Sequence, residues 1–200
     1  MSIGGRFGKY GELKRKNRLR QARGIINIPQ KGIQTATPIR RQKTPKKSVS
    51  ITLRKGMPKD RHFVSNLSRR VFSVFGDYAG IVLRWLDRPD VITVIAEQHS
   101  TPLGFAMLYL RKNLIFSRNV GELLAIAVIP EYQGRGIGRT LLAYMESLAK
   151  KYGATELHLS TAEMNKVACR FFEKAGFTPI GARDNFYPAG QRALEMSKGL

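Results

Sequence analysis

Residues 121–152 read GELLAIAVIPEYQGRGIGRTLLAYMESLAKKY. An apolar, strand-like run empties into Gln133-Gly134-Arg135-Gly136-Ile137-Gly138, and an amphipathic helix follows. Glycines at every second position let the backbone turn tightly and approach a ligand without Cβ clashes. The first amides of a helix have no intrahelical acceptor, and with the positive end of the helix dipole they form an anion site suited to a pyrophosphate. The helix is predicted from Ile137, Leu141, Met145, Leu148 and Tyr152 at helical spacing, with Arg139, Glu146, Lys150 and Lys151 on other faces. A Walker loop requires Gly-Lys before Ser or Thr, and here Arg139 follows Gly138. A dinucleotide fingerprint counted from Gly134 would need glycine where Arg139 stands. A glycine-rich turn with no ligand is the competing reading.

The string ELLAIAVIPEYQGRGIGRTLL, residues 122–142, resembles motif A of the GNAT acetyltransferase superfamily. The loop pattern of that superfamily is Gln or Arg, two residues, Gly, one residue, then Gly or Ala, and it falls on Gln133, Gly136 and Gly138. The resemblance runs along roughly 49–200 and is most specific between Glu122 and Phe177. It implies acetyl-coenzyme A as cosubstrate. The pyrophosphate would lie on the amides of Gln133, Gly134, Arg135, Gly136, Ile137 and Gly138, beside Arg139, and the pantetheine arm would pair with the strand end at Ala127 and Val128. It also implies an α/β fold of the GNAT type, with a mixed, largely antiparallel central sheet and flanking helices.

The chain of 200 residues carries 35 Lys and Arg against 14 Asp and Glu, a net charge of +21. Residues 1–48 hold 14 of those cations and the single acid Glu12, hence +13, with poor apolar patterning. They are expected to form a basic, flexible extension to a domain over residues 49–200. Charge this dense and one-sided suits phosphate partners, so RNA or ribosome contact stands beside a merely solvated tail. A transit peptide is disfavoured by the lysine content, and no secretory apolar region or membrane-length run is found, which points to a cytoplasmic protein. Cys169 alone excludes an internal disulfide or a Cys-cluster metal site. His62, His99 and His158 lie too far apart in sequence for ligand spacing, so no metal is expected.

The order of elements is predicted as β-α-α-β-β-β-α-β-α-β-β. A strand around Val49-Ile51-Leu53 precedes a helix opened by Pro58, with Phe63, Leu67, Val71 and Phe75 at helical spacing. A short helix over 78–86 follows, then strands over 91–96, 104–110 and 122–129. After the loop and the long helix come a strand at 155–159, a helix at 166–174 closed by Gly176, and strands near 177–182 and 192–196.

Acetyl transfer to an amine requires a neutral nucleophile and therefore a group that takes a proton. Within the resemblance, Glu122 occupies the strand position of a general base; its alternative is an ordinary strand glutamate. Amides near Ala127 and Val128 would polarise the thioester carbonyl. Many GNAT enzymes carry a tyrosine acid on the helix opened by Asn165, where this chain has Phe172. Asn165 is read first as a helix cap, with pantetheine contact as a second role. Phe171 and Phe172 are read as core with Val167, Ala168 and Ala175. The C-terminal half is similar to bacterial ribosomal-protein-alanine N-acetyltransferases through Asn185-Phe186-Tyr187-Pro188 and Ala193-Leu194-Glu195-Met196, although the catalytic glutamate of that family falls on Ser160. Tyr187 would then cradle a peptide N-terminus or act as an acid. Two functions follow: an acetyl-coenzyme A-dependent N-acetyltransferase acting on a primary amine, with a protein N-terminus favoured, or an RNA- or ribosome-associated protein whose domain binds coenzyme A without catalysis.

Overall fold

The structure, a computed structural model, describes residues 50–111 and 119–200. The basic extension over residues 1–48 and the expected strand residue Val49 lie outside them. The elements run β1 (Thr52–Lys55), α1 (Arg61–Phe72), α2 (Tyr78–Leu86), β2 (Val91–Gln98), β3 (Thr101–Arg111), β4 (Asn119–Val128), α3 (Ile137–Lys151), β5 (Ala154–Ala162), α4 (Lys166–Lys174), β6 (Thr178–Arg183) and β7 (Ala193–Gly199). Short 3₁₀ turns at Pro58–Asp60 and Ser73–Phe75 bracket α1. Asp77 opens α2 by accepting from Gly80 N at 3.2 Å, and Asn165 opens α4 by accepting from Ala168 N at 3.1 Å.

The seven strands form one sheet in the order β1-β2-β3-β4-β5-β7-β6. Every pairing is antiparallel except β4 with β5. This is the expected mixed, largely antiparallel α/β architecture. Alternation along the strands divides the side chains between two cores. Leu108, Leu123, Leu157, Leu159 and Met196 pack with Ile137, Leu141, Leu142 and Met145 of α3 and with Phe172 of α4. Phe105, Met107, Ala125 and Ala127 pack with Val64 and Leu67 of α1 and with Tyr78 and Val82 of α2 on the other side.

The buried stripe of α3 differs from the expected one. Leu142 and Ala149 are buried, whereas Tyr152 lies beyond the helix end and is exposed. Val167 is 79% exposed rather than core. The third strand begins at Thr101, three residues before Gly104, and contains Pro102. His99 and Ser100 both take positive φ, so a two-residue turn joins β2 to β3 and leaves Pro102 opposite Glu97 at a register shift.

Candidate active site

The pairing of β4 with β5 runs from Asn119 opposite Ala154 to Leu123 opposite Leu159 and stops there. Both strands continue, β4 to Val128 and β5 to Ala162, so the sheet opens between them. A bulge on the β3 side contributes: Leu108 faces Leu123 and Met107 faces Ala125, which leaves Leu124 as an extra residue that bends β4. The opening is a cleft of about 730 Å³. The ends of β4 and β5 form its walls; Gly134, Gly136, Gly138 and Arg139 stand at one end, and Tyr78 and Tyr187 at the other.

Backbone direction decides which groups enter the cleft. Ile129 N–H donates to Leu103 O at 2.8 Å, toward β3. Alternation then turns the N–H and C=O of Val128 and Ile126 the other way, into the opening. The bond from Gln133 Nε2 to Val128 O at 3.1 Å agrees with this direction. Ala127, opposite Phe105, turns its backbone toward β3 and gives the cleft only a wall. Of the two strand residues expected to bind, Val128 therefore turns its backbone groups into the opening and Ala127 does not, whereas Ile126 does.

Thr140 N–H donates to Gly136 O at 3.0 Å, the first bond of α3, so the amides of Ile137, Gly138 and Arg139 precede any intrahelical acceptor. Gly136 has φ +91°, and a Cβ built on it would meet nothing within 4 Å. The outer side of the loop is thus open space in front of a helix N-terminus. No carboxylate lines the cleft among the described residues, and Arg139 does. The donor set fits a diphosphate. The Ile137 side chain is buried, so it contributes only its backbone. Arg135 donates to Glu131 O at 3.1 Å and covers the Tyr132 ring at 4.8 Å, folded back along the loop.

Glu122 and Tyr78 belong to the α1/α2 face of the sheet. Glu122 is half-buried, opposite Tyr109 on β3 and His158 on β5. The Tyr78 hydroxyl donates to Leu124 O at 3.5 Å, and its ring lies 5.2 Å from that of Tyr187. Burial first, then Tyr187 and Glu122, push the Tyr78 phenol far above its ordinary value. Tyr187 is 5% exposed, and burial is likewise the main cause that raises its phenol. Its hydroxyl donates to Ser160 O at 3.5 Å. Tyr78 thus senses both Tyr187 and Glu122 where the sheet parts. The loop that carries Tyr187 is fastened to the α1–α2 turn: Gln191 Nε2 donates to Val74 O at 2.6 Å and Ala189 N–H to Phe75 O at 3.2 Å. Gly76, at φ +79°, sits where a Cβ would come within 3.1 Å of Ala189 N, so the junction needs glycine.

Phe172 is buried against Phe171 and Phe177 and lines the cleft, presenting hydrocarbon where the family's tyrosine would stand. Cys169 is buried, with burial raising its thiol, and its Sγ lies 3.7 Å from Ala162 O. No group of three or more His, Cys, Asp or Glu that would hold a metal occurs among the described residues.

The chain that forms this cleft is similar in sequence and fold to known proteins. Residues 61–177 fit the family model described as Acetyltransferase (GNAT) family. The chain belongs to that family. An N-alpha-acetyltransferase of Saccharolobus solfataricus is 35% identical over 81 residues, which are 40% of this chain and 48% of that protein. The [Ribosomal protein bS18]-alanine N-acetyltransferase of Escherichia coli K12 is 38% identical over 66 residues, 33% of this chain and 45% of that protein. The GNAT chain thus matches about half the length of these curated relatives. A solved structure of a PaiA N-acetyltransferase from Thermoplasma acidophilum in complex with coenzyme A shares 25% identity at a TM-score of 0.62, covering 76% of this chain and all of that one. Within this GNAT domain, Tyr78 and Ile126 escaped the sequence reading. Tyr78 looks like any helix-start aromatic, and Ile126 is one member of an apolar run until strand pairing fixes its direction.

Proposed function

We propose that this protein is an acetyl-coenzyme A-dependent N-acetyltransferase acting on a primary amine, with a protein N-terminus as the favoured acceptor. The observation that carries the reading is the joining of two features in one opening. An anion-binding loop lies at one end of it and two buried phenols at the other, and the Glu122 carboxylate stands behind that lining, near enough to Tyr78 to help raise its phenol. The names of the relatives, acetyltransferases of protein amines, support the choice of acceptor.

Acetyl-coenzyme A, when bound, supplies an activated acetyl group as a thioester. The amides of Ile137, Gly138 and Arg139 hold its diphosphate, and the β4 edge at Ile126 and Val128 pairs with its arm. A backbone N–H of the same edge stabilises the carbonyl oxygen as it gains negative charge. Glu122 takes the proton that the amine nitrogen sheds as it bonds to the acetyl carbon, directly or through water. The carbon–sulfur bond then breaks and coenzyme A leaves as its thiolate, which takes a proton from water. Tyr187 stays protonated, and its phenol is a weaker acid than a thiol of pKa about 8.5. It therefore assists the departing sulfur, or orients the amine, as a hydrogen-bond donor without surrendering its proton.

Two observations favour a second reading, a coenzyme-binding protein of RNA or ribosome in which catalysis has been lost. Phe172 presents no proton, and Ser160 stands where the related alanine acetyltransferases carry a glutamate. Incubation of the purified protein with acetyl-coenzyme A and a peptide library, read by mass spectrometry, separates the two. The enzyme reading expects acetylated α-amines, fewer products from peptides with blocked N-termini, and dependence on Glu122. Coenzyme binding with no acetylated peptide would leave the second reading.

A further inference from the structure

The strand register places a second titratable side chain directly beside Glu122. In the parallel pair β4/β5, Glu122 is opposite His158, one step before the pairing ends. Neighbouring strands run about 4.8 Å apart, so directly opposed side chains that leave the same face are neighbours. The face is fixed by the cores. Leu123, Leu157 and Leu159 all pack under α3, so Glu122, Glu156 and His158, the alternate residues, project from the opposite side. His158 Nε2 lies 2.8 Å from Glu156 Oε2. The two side chains are 35% and 37% exposed. The Glu122 carboxylate, next to the strand pair's opening, an imidazole and a second carboxylate thus stand in succession and end in water. The flanking residues of the row are Tyr109 on β3 and Ser197 on β7, neither of which is a carboxylate or a cation.

Resting on the N-acetyltransferase reading above, we propose that His158 is a proton-relay residue that carries the proton taken up by Glu122 to solvent through Glu156. The proton balance is simple. Glu122 gains one proton when the amine attacks and must lose it before the next turnover. It passes that proton to the imidazole, which becomes imidazolium. The imidazolium gives a proton across the Nε2–Oε2 contact to Glu156, and Glu156 releases it to water, so all three groups return to their starting charge. Imidazole is the side chain that accepts and releases protons readily near neutral pH. A surface His–Glu pair with no such role would contribute little, since exposed ion pairs have small effects. His158 does not touch the acetyl group or the amine; it acts through Glu122.

The test uses the full chain, acetyl-coenzyme A and an acetylated-product assay on a peptide that the wild type modifies. His158→Ala is expected to lower kcat roughly tenfold, with both KM values and the melting temperature nearly unchanged. Added imidazole at constant ionic strength should restore much of the lost kcat in that variant and leave the wild type unaffected. His158→Gln, which keeps a polar side chain in place, should be as slow as the alanine variant, and Glu156→Gln should be slowed to a lesser degree. A His158→Ala enzyme with wild-type kcat would overturn the relay. So would a loss that imidazole does not rescue, or one accompanied by raised KM or a lower melting temperature, because those mark a structural role. A wild-type protein that acetylates no peptide would remove the reaction the relay serves and the relay with it. An active wild type with an unaffected His158→Ala would remove the relay alone.

Discussion

Glu122 leaves the sheet on the face that α1 and α2 cover, just before the β4–β5 pairing ends; Tyr78 comes to that face from the start of α2 and Tyr187 from the β6–β7 loop, and Tyr78 senses both of the others. The phenols are dry and the carboxylate is half-buried, a contrast that supports the base role proposed for Glu122 and hydrogen-bond donation by the tyrosines. Tyr187→Phe is expected to lower kcat about tenfold while acetyl-coenzyme A affinity, measured by calorimetry, stays the same. An unchanged kcat would confine Tyr187 to packing against Phe75 and Tyr78. The same burial makes stability depend on alkaline pH. Both folded phenols titrate above the unfolded value of about 10, so below that pH neither state loses the proton and stability is flat. As pH rises past about 10 the unfolded state ionises first, and stability falls by about 1.4 kcal/mol per pH unit for each tyrosine until its folded value is reached. Melting curves from pH 8 to 11 should show this decline, and Tyr78→Phe should make it shallower. Equal slopes in wild type and variant would mean that Tyr78 is not buried as described.

At the scale of elements, the glycine loop and α3 were legible because the signal is local: glycine spacing, a helical stripe and a preceding apolar run. The cap of α4 was legible for the same reason, and Asn165 does bond Ala168 N. Pairing was not legible. The bulge at Leu124, the end of the β4–β5 ladder at Leu123, and hence the exchange of Ala127 for Ile126, all depend on which residue of another strand lies opposite. Val167 was misassigned because helical spacing cannot tell a stripe facing the sheet from one facing the mouth of a cleft. Pro102 hid the first turn of β3 because a proline in the interior of a paired strand is uncommon. The loop itself makes a sharp expectation. Gly136→Val introduces a β-branched side chain at φ +91°, into the open space where a diphosphate would sit. Affinity for acetyl-coenzyme A should fall at least tenfold in a variant that keeps its circular dichroism spectrum. Retained affinity would show that the diphosphate lies elsewhere.

At the scale of the whole molecule, charge and the family match are distributed unequally. Residues 1–48 hold +13 of the +21, while the GNAT match lies within residues 61–177. If six or more of those cations neutralise phosphates, RNA affinity should drop about 10³-fold or more between 50 and 200 mM salt. Removal of residues 1–48 should then abolish most RNA binding while melting temperature and peptide turnover change little. Filter binding of full-length and truncated protein at the two salt concentrations measures this, and equal binding by both would assign no nucleic-acid role to the extension. No helix among the described residues is long and apolar enough to cross a membrane. The remaining question for the molecule as a whole is whether the opening of the sheet is a place of chemistry. It is answered most directly by coenzyme A release from wild type and Glu122→Gln, at saturating acetyl-coenzyme A and peptide, with coenzyme affinity measured in parallel. Turnover by the wild type, a kcat lower by about 10²–10⁴ in the variant, and equal affinities are expected. Release by the variant at the wild-type rate, or none by either protein, would contradict the role given to Glu122.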